Sequence, residues 1–170
     1  ESAGSRERLV VLTDGSFDRT AVREGAFDGR VVTYPASTRG AAAATPAGDA
    51  GASPSLDGAD TPRMVERRDL GELTATVEDE LDAFGEVDPG GLRLCIDSLT
   101  ALVESHDRAE LKRFLTAVGN RVRASHGMAH CHLPVSRDDP VVADIEPAFD
   151  AVVEVRDGAD GPEQRWSVLA

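Results

Sequence analysis

The stretch Gly91 to Leu102, GLRLCIDSLTAL, constrains this chain more than any other. Leu92, Leu94 and Ile96 alternate with Arg93 and Cys95, Pro89-Gly90-Gly91 bounds the run, and it ends in an acid followed by a hydroxyl. Such a segment reads as a buried strand delivering Asp97 and Ser98 to the carboxyl end of an α/β sheet, where open sheets hold their ligands. The other elements agree with that class. RLVVLTD (8–14) and RVVTY (30–34) read as two more strands with a short helix over 17–24 between them, a βαβ unit with a right-handed crossover. Met64 and Val65 lie in a short extended segment. Asp69, with Glu72 three residues on, has the capping-box spacing, and Leu70, Leu73, Val77, Leu81 and Phe84 form the apolar face of a helix ended by Gly85 and Pro89.

After Ser98 the chain makes a brief helical turn over 99–103. A longer helix is predicted over 108–126, burying Leu111, Phe114, Leu115, Val118 and Val122, with Gly127 as its terminator. MAHCHL (128–133) is the next strand. Asp139-Pro140 opens a short helix, and strands over 149–155 and 164–169 close the chain around a DGADG turn. The expectation is a single domain over 6–170. Residues 36–62, nearly all small, polar or turn-forming, make a flexible low-complexity insertion within it.

Charge narrows the partners. Asp and Glu number 31 against 18 Lys and Arg, a net charge of −13, and Lys112 is the sole lysine. So acidic a surface repels phosphates and anionic lipid, which argues against nucleic acid and membrane as partners. The same acid excess with arginine in place of lysine fits the high-salt cytoplasm of a halophilic archaeon, where carboxylates keep a protein hydrated and salt screens their repulsion. Cys95 and Cys131 sit in apolar, strand-like contexts that suit reduced, buried thiols. No apolar run is long enough to span a bilayer and no signal-peptide pattern opens the chain, so a cytoplasmic location is expected. The first residues, Glu1-Ser2-Ala3-Gly4, lack a methionine, which leaves room for further residues upstream.

Two constellations carry chemistry. Asp97 at a strand end is placed to hold the water shell of Mg²⁺, a hard cation that prefers oxygen ligands; equally, it is placed to cap the following turn. His130 and His132 alternate onto one face of their strand, with Cys131 on the other. With Asp97 from a neighbouring strand they form a candidate Zn²⁺ or transition-metal set, against the plainer reading of histidines satisfied by local hydrogen bonds. A serine hydrolase centred on Ser98 is disfavoured because the G-x-S-x-G elbow is absent.

LCIDSLTAL resembles the Walker B strand of the RecA, RadA and KaiC group of ATPases. The long helix, AHCHLP and FDAVVEV follow in the order of such a core. The likeness extends over 6–170, is most specific over 91–155, and is closest to haloarchaeal proteins with a RecA-like or KaiC-like ATPase domain. It implies a mostly parallel RecA-like (P-loop NTPase-like) sheet flanked by helices, with a C-terminal hairpin. It also implies ATP and Mg²⁺ at Asp97 and Ser98, and His132 where such proteins sense the γ-phosphate. The departure is the phosphate loop: no G-x-x-x-x-G-K-[ST] is present, and TDGSFDRT (13–20) lacks the second glycine and the lysine while adding Asp14 and Asp18. No catalytic residue is assigned on this reading. The expected function is a non-catalytic regulatory or scaffolding protein on a degenerate ATPase fold, acting through a protein partner or self-association. The alternatives are an ATPase whose phosphate loop lies upstream or comes from a neighbour, and a histidine-based metal-binding protein.

Overall fold

Five parallel strands in the order β3-β2-β1-β4-β5 form the sheet of this computed structural model, which describes residues 6–13, 29–35, 62–158 and 161–169. They are β1 (Glu7–Leu12), β2 (Arg30–Thr33), β3 (Arg63–Met64), β4 (Leu92–Asp97) and β5 (Met128–Cys131). Three helices, α1 (Leu70–Asp82), α2 (Thr100–Ser105) and α3 (Arg108–Ala124), lie between β3 and β5 in the chain, and α4 (Pro140–Ile145) follows β5. An antiparallel hairpin of β6 (Ala151–Gly158) and β7 (Gly161–Val168) forms a separate two-stranded sheet. The architecture is therefore α/β, a parallel sheet flanked by helices with a C-terminal hairpin. The helix expected over 17–24 and most of the 36–62 insertion lie outside the described residues.

Alternation decides which face is buried. Leu9, Val11, Val32, Leu92, Leu94 and Ile96 are each at most 1% exposed and pack with Leu73 and Val77 of α1 and Leu111, Phe114 and Val118 of α3 in one cluster. Their strand neighbours Val10, Val31, Arg93 and Cys95 point to the other face and are only half-buried. The apolar stripes read from the helical repeats are the stripes that meet the sheet.

Helix ends show where local chemistry acted differently from expectation. Asp69 caps α1, its carboxylate accepting from the Glu72 N–H at 2.8 Å. The reciprocal half of the capping box is absent, because Glu72 Oε1 accepts from the Glu66 N–H at 3.0 Å and ties the incoming chain down instead. Asp69→Ala is expected to cost about 1 kcal/mol, read as a shifted denaturation midpoint with unchanged cooperativity. At the end of α3 the Gly127 N–H reaches the Val122 carbonyl and the His126 N–H the Arg123 carbonyl, each at 2.9 Å, which is the Schellman pattern. The left-handed residue is His126 (φ 50°), not Gly127 as the sequence suggested. An L-residue is disfavoured there, so His126→Gly should stabilise the protein by about 0.5–1 kcal/mol in the same assay.

Other boundaries moved by a few residues. The two closing strands are longer than expected and pair as far as Gly158 with Gly161, so the five-residue turn contracts to a two-residue connection. The predicted 108–126 helix ends at Ala124, and the strand expected over 128–133 ends at Cys131.

Candidate functional site

The strand order marks a candidate ligand position before any side chain is considered. From β1 the chain moves outward to β2 and β3, then returns past β1 to β4 and on to β5. Connections leaving the carboxyl ends of β1 and β4 therefore diverge, and open α/β sheets bind ligands at such a switch point. Thr13, Asp97, Ser98 and His132 lie at this edge. The register that pairs Leu12 with Asp97, and Ile96 with Cys131, sets them at one level.

Backbone bonds stitch the edge together. The Thr13 N–H donates to the Asp97 carbonyl at 3.1 Å, and the fully buried Thr13 hydroxyl donates to the Ser98 carbonyl. The His132 N–H reaches Ile96 O at 3.0 Å, while the Leu99 N–H reaches His132 O at 2.8 Å. The Asp97–Ser98 peptide is cis. Thr13 was visible in the sequence only as the end of an apolar run, since its partner is the carbonyl of a strand far away in the chain.

The two candidate side chains at the end of β4 have separate roles. It is Ser98, not Asp97, that caps the next turn: its hydroxyl accepts from the Thr100 N–H at 3.3 Å and donates to Thr100 Oγ1 at 3.0 Å. That pairing leaves Ser98 without an activating histidine. Asp97 turns instead to His132, with Oδ1 3.3 Å from Nδ1, and both side chains are more than half exposed. Asp97 is thus free of the capping role and available to a ligand. Lys112, the chain's sole lysine, is exposed on α3.

One strand layer below, Cys95 and His130 are register partners on the half-buried face, and His132 joins them by alternation. The His130 and His132 rings lie 5.3 Å apart at 48°. Candidate ligand atoms of Cys95, His130 and His132 all lie within 4.8 Å of one another. Asp97 is outside this triad and meets it through His132, whereas the sequence suggested Asp97 itself as the third member. Cys95 was expected to be a buried structural thiol; its half-exposed place beside two imidazoles was hidden until the β4–β5 register was known.

Burial sets the protonation tendencies. Burial, then the neighbouring His132, pulls His130 below the usual histidine value against an opposing pull from Asp97, so its ring stays neutral further into the acid range. Burial, then the Asp97 charge, pushes the Cys95 thiol up. Cys131, on the opposite face with Ile96, is pushed up to about 12, chiefly by burial. It is the structural thiol of the pair.

Tyr34, just beyond β2, donates to or accepts from His106 Nε2 at 2.8 Å and is 1% exposed. Burial above all raises its phenol from the ordinary 10.0 to about 12. The folded state then holds the phenolic proton while the unfolded chain has lost it. The corresponding stability is present below pH 10 and is lost as pH rises towards 12, a contribution on the order of 1–2 kcal/mol. Urea denaturation of the wild type should weaken over that window relative to Tyr34→Phe, which lacks the titrating group.

Fold and edge together define an open parallel α/β protein with an acid–histidine pair at its topological switch point. The chain belongs to the family of unknown function DUF7504, whose model matches residues 1–155. Among curated proteins, none matches significantly. Within the described residues no helix is long and apolar enough to cross a membrane.

Proposed function

We propose that this chain is a non-catalytic regulatory or scaffolding protein of a halophilic archaeon, built on a degenerate RecA/KaiC-like ATPase fold and acting through protein contacts. The C-terminal hairpin carries this reading. Its register sets Ala151, Val153 and Val155 opposite Val168, Trp166 and Gln164 on one face. That face is outward: Val153 is 39%, Val155 67%, Trp166 67% and Val168 84% exposed. Val152, Glu154 and Ser167, on the other face, are half-buried. An isolated hairpin that turns its valines and tryptophan to water is built for a second apolar surface. The exposed position of Lys112 on α3, distant in the chain from TDGSFDRT (13–20), supports the non-catalytic part of the proposal.

Trp166 is the sole tryptophan, so its fluorescence reports on this face alone. Across a concentration series in molar KCl, a blue-shifted emission and a rising mass by light scattering are expected, both abolished by Trp166→Glu. The second reading, an ATPase with its phosphate loop supplied from elsewhere, is favoured by one observation: Asp97 is exposed at the carboxyl end of β4 beside Ser98. Calorimetry with ATP or ADP and Mg²⁺ should give no binding at millimolar nucleotide. A monomer at every concentration, together with nucleotide binding that Asp97→Ala weakens, would replace the scaffolding reading with the ATPase.

A further inference from the structure

We propose that Cys95, His130 and His132 bind a borderline transition-metal ion of the Zn²⁺ type on the half-buried face of the sheet, next to its carboxyl edge. The argument is geometric. Parallel pairing of β4 with β5 sets Cys95 against His130, and the two-residue repeat brings His132 to the same side. Their candidate donor atoms already fall within 4.8 Å of one another. Zn–S bonds near 2.3 Å and Zn–N bonds near 2.0–2.1 Å place tetrahedral donors about 3.3–3.7 Å apart. Closure therefore requires movements of about 1 Å, within reach of side-chain rotation for two exposed imidazoles.

The donor set selects the ion. One thiolate and two imidazoles suit zinc, cobalt or copper and are poor ligands for Mg²⁺ or Ca²⁺, which take oxygen. Asp97 completes the arrangement from outside. With its carboxylate on Nδ1 of His132, it orients the ring and leaves the other ring nitrogen to the metal, the carboxylate–histidine–metal pattern. Arg93, two residues before Cys95 on the same face, is drawn away towards the amino end, its guanidinium donating to the Gly90 carbonyl at 2.6 Å. No fixed positive charge then sits beside the three donors among the described contacts. Binding replaces the Cys95 S–H bond by an S–metal bond and releases the proton to solvent, which a divalent ion's affinity for thiolate drives. Three protein ligands leave a fourth position open to water or to an exogenous ligand.

Co²⁺ titration of the full chain tests this, because thiolate ligation adds a charge-transfer band in the near ultraviolet and tetrahedral geometry intensifies the visible bands. The wild type should bind one equivalent with both signatures, and Zn²⁺ should displace it. Cys95→Ser should abolish the charge-transfer band, and His132→Ala, at an exposed side chain that leaves folding intact by circular dichroism, should weaken the visible bands. Asp97→Asn should lower Zn²⁺ affinity by about 10–100-fold while leaving the spectrum tetrahedral. Cys131→Ser should leave the charge-transfer band in place. A wild type with no such band, or a band lost in Cys131→Ser and kept in Cys95→Ser, overturns the proposal.

Discussion

Leu94→Ala is expected to lower the unfolding free energy by about 3–5 kcal/mol, the largest effect of any single substitution considered for this chain. Leu94 is fully buried at the middle of β4, with β1 on one side and β5 on the other. β4 is paired along both edges, and the Leu94 side chain points into the cluster formed with α1 and α3. A strand clamped on both edges cannot move inward to fill the space left by the lost methyl groups. The penalty therefore includes the cavity as well as the lost transfer energy. Met64→Ala is the matched control: Met64 lies on β3 at the sheet edge, is 71% exposed, and should change stability by no more than about 0.5 kcal/mol. Urea denaturation of both variants at one fixed salt concentration checks the pair. A Leu94→Ala loss as small as that of Met64→Ala would mean that β4 is not an interior strand packed on both sides.

Gly127→Val should destabilise the protein by about 2–3 kcal/mol, through overpacking rather than backbone strain. A Cβ at this position would stand 3.0 Å from both Cβ and Cδ2 of Leu92 and 3.1 Å from Cγ1 of Val122. Leu92 and Val122 are themselves 1% and 2% exposed, so neither can retreat. Gly127 is thus retained for the close approach of the α3–β5 connection to β4, while the left-handed conformation has passed to His126. Gly127→Ala should cost less than Gly127→Val, and the stabilising His126→Gly should roughly add to either. If Val were tolerated as well as Ala, the contact with Leu92 would not be the constraint.

Much of the fold was legible because it depends on short-range periodicity. The alternation in LRLCID and the apolar repeat in α1 and α3 state locally which side chains seek a core, and the structure buries those side chains. Asp69, Asp107 and Asp139 each cap a helix, through bonds that span two or three residues. Where the reading slipped, a more distant partner had intervened. Glu72 left its capping box for Glu66, Gly127 answered to Leu92, and Asp97 gave the capping role to Ser98 and faced His132.

The candidate site divides along the same line. Asp97 and Ser98 at a strand terminus, and two histidines on one face, follow from the local pattern of residues because a strand's end and its two-residue repeat are properties of the strand alone. Which strands lie side by side, and in what register, depends on how the chain folds back across the sheet. That decision set Cys95 against His130 on one face and Cys131 on the other, and brought Asp97 within 3.3 Å of His132. A one-residue slip of β5 against β4 would turn His130 and His132 away from Cys95 and Asp97, so the contacts among them belong to the tertiary structure.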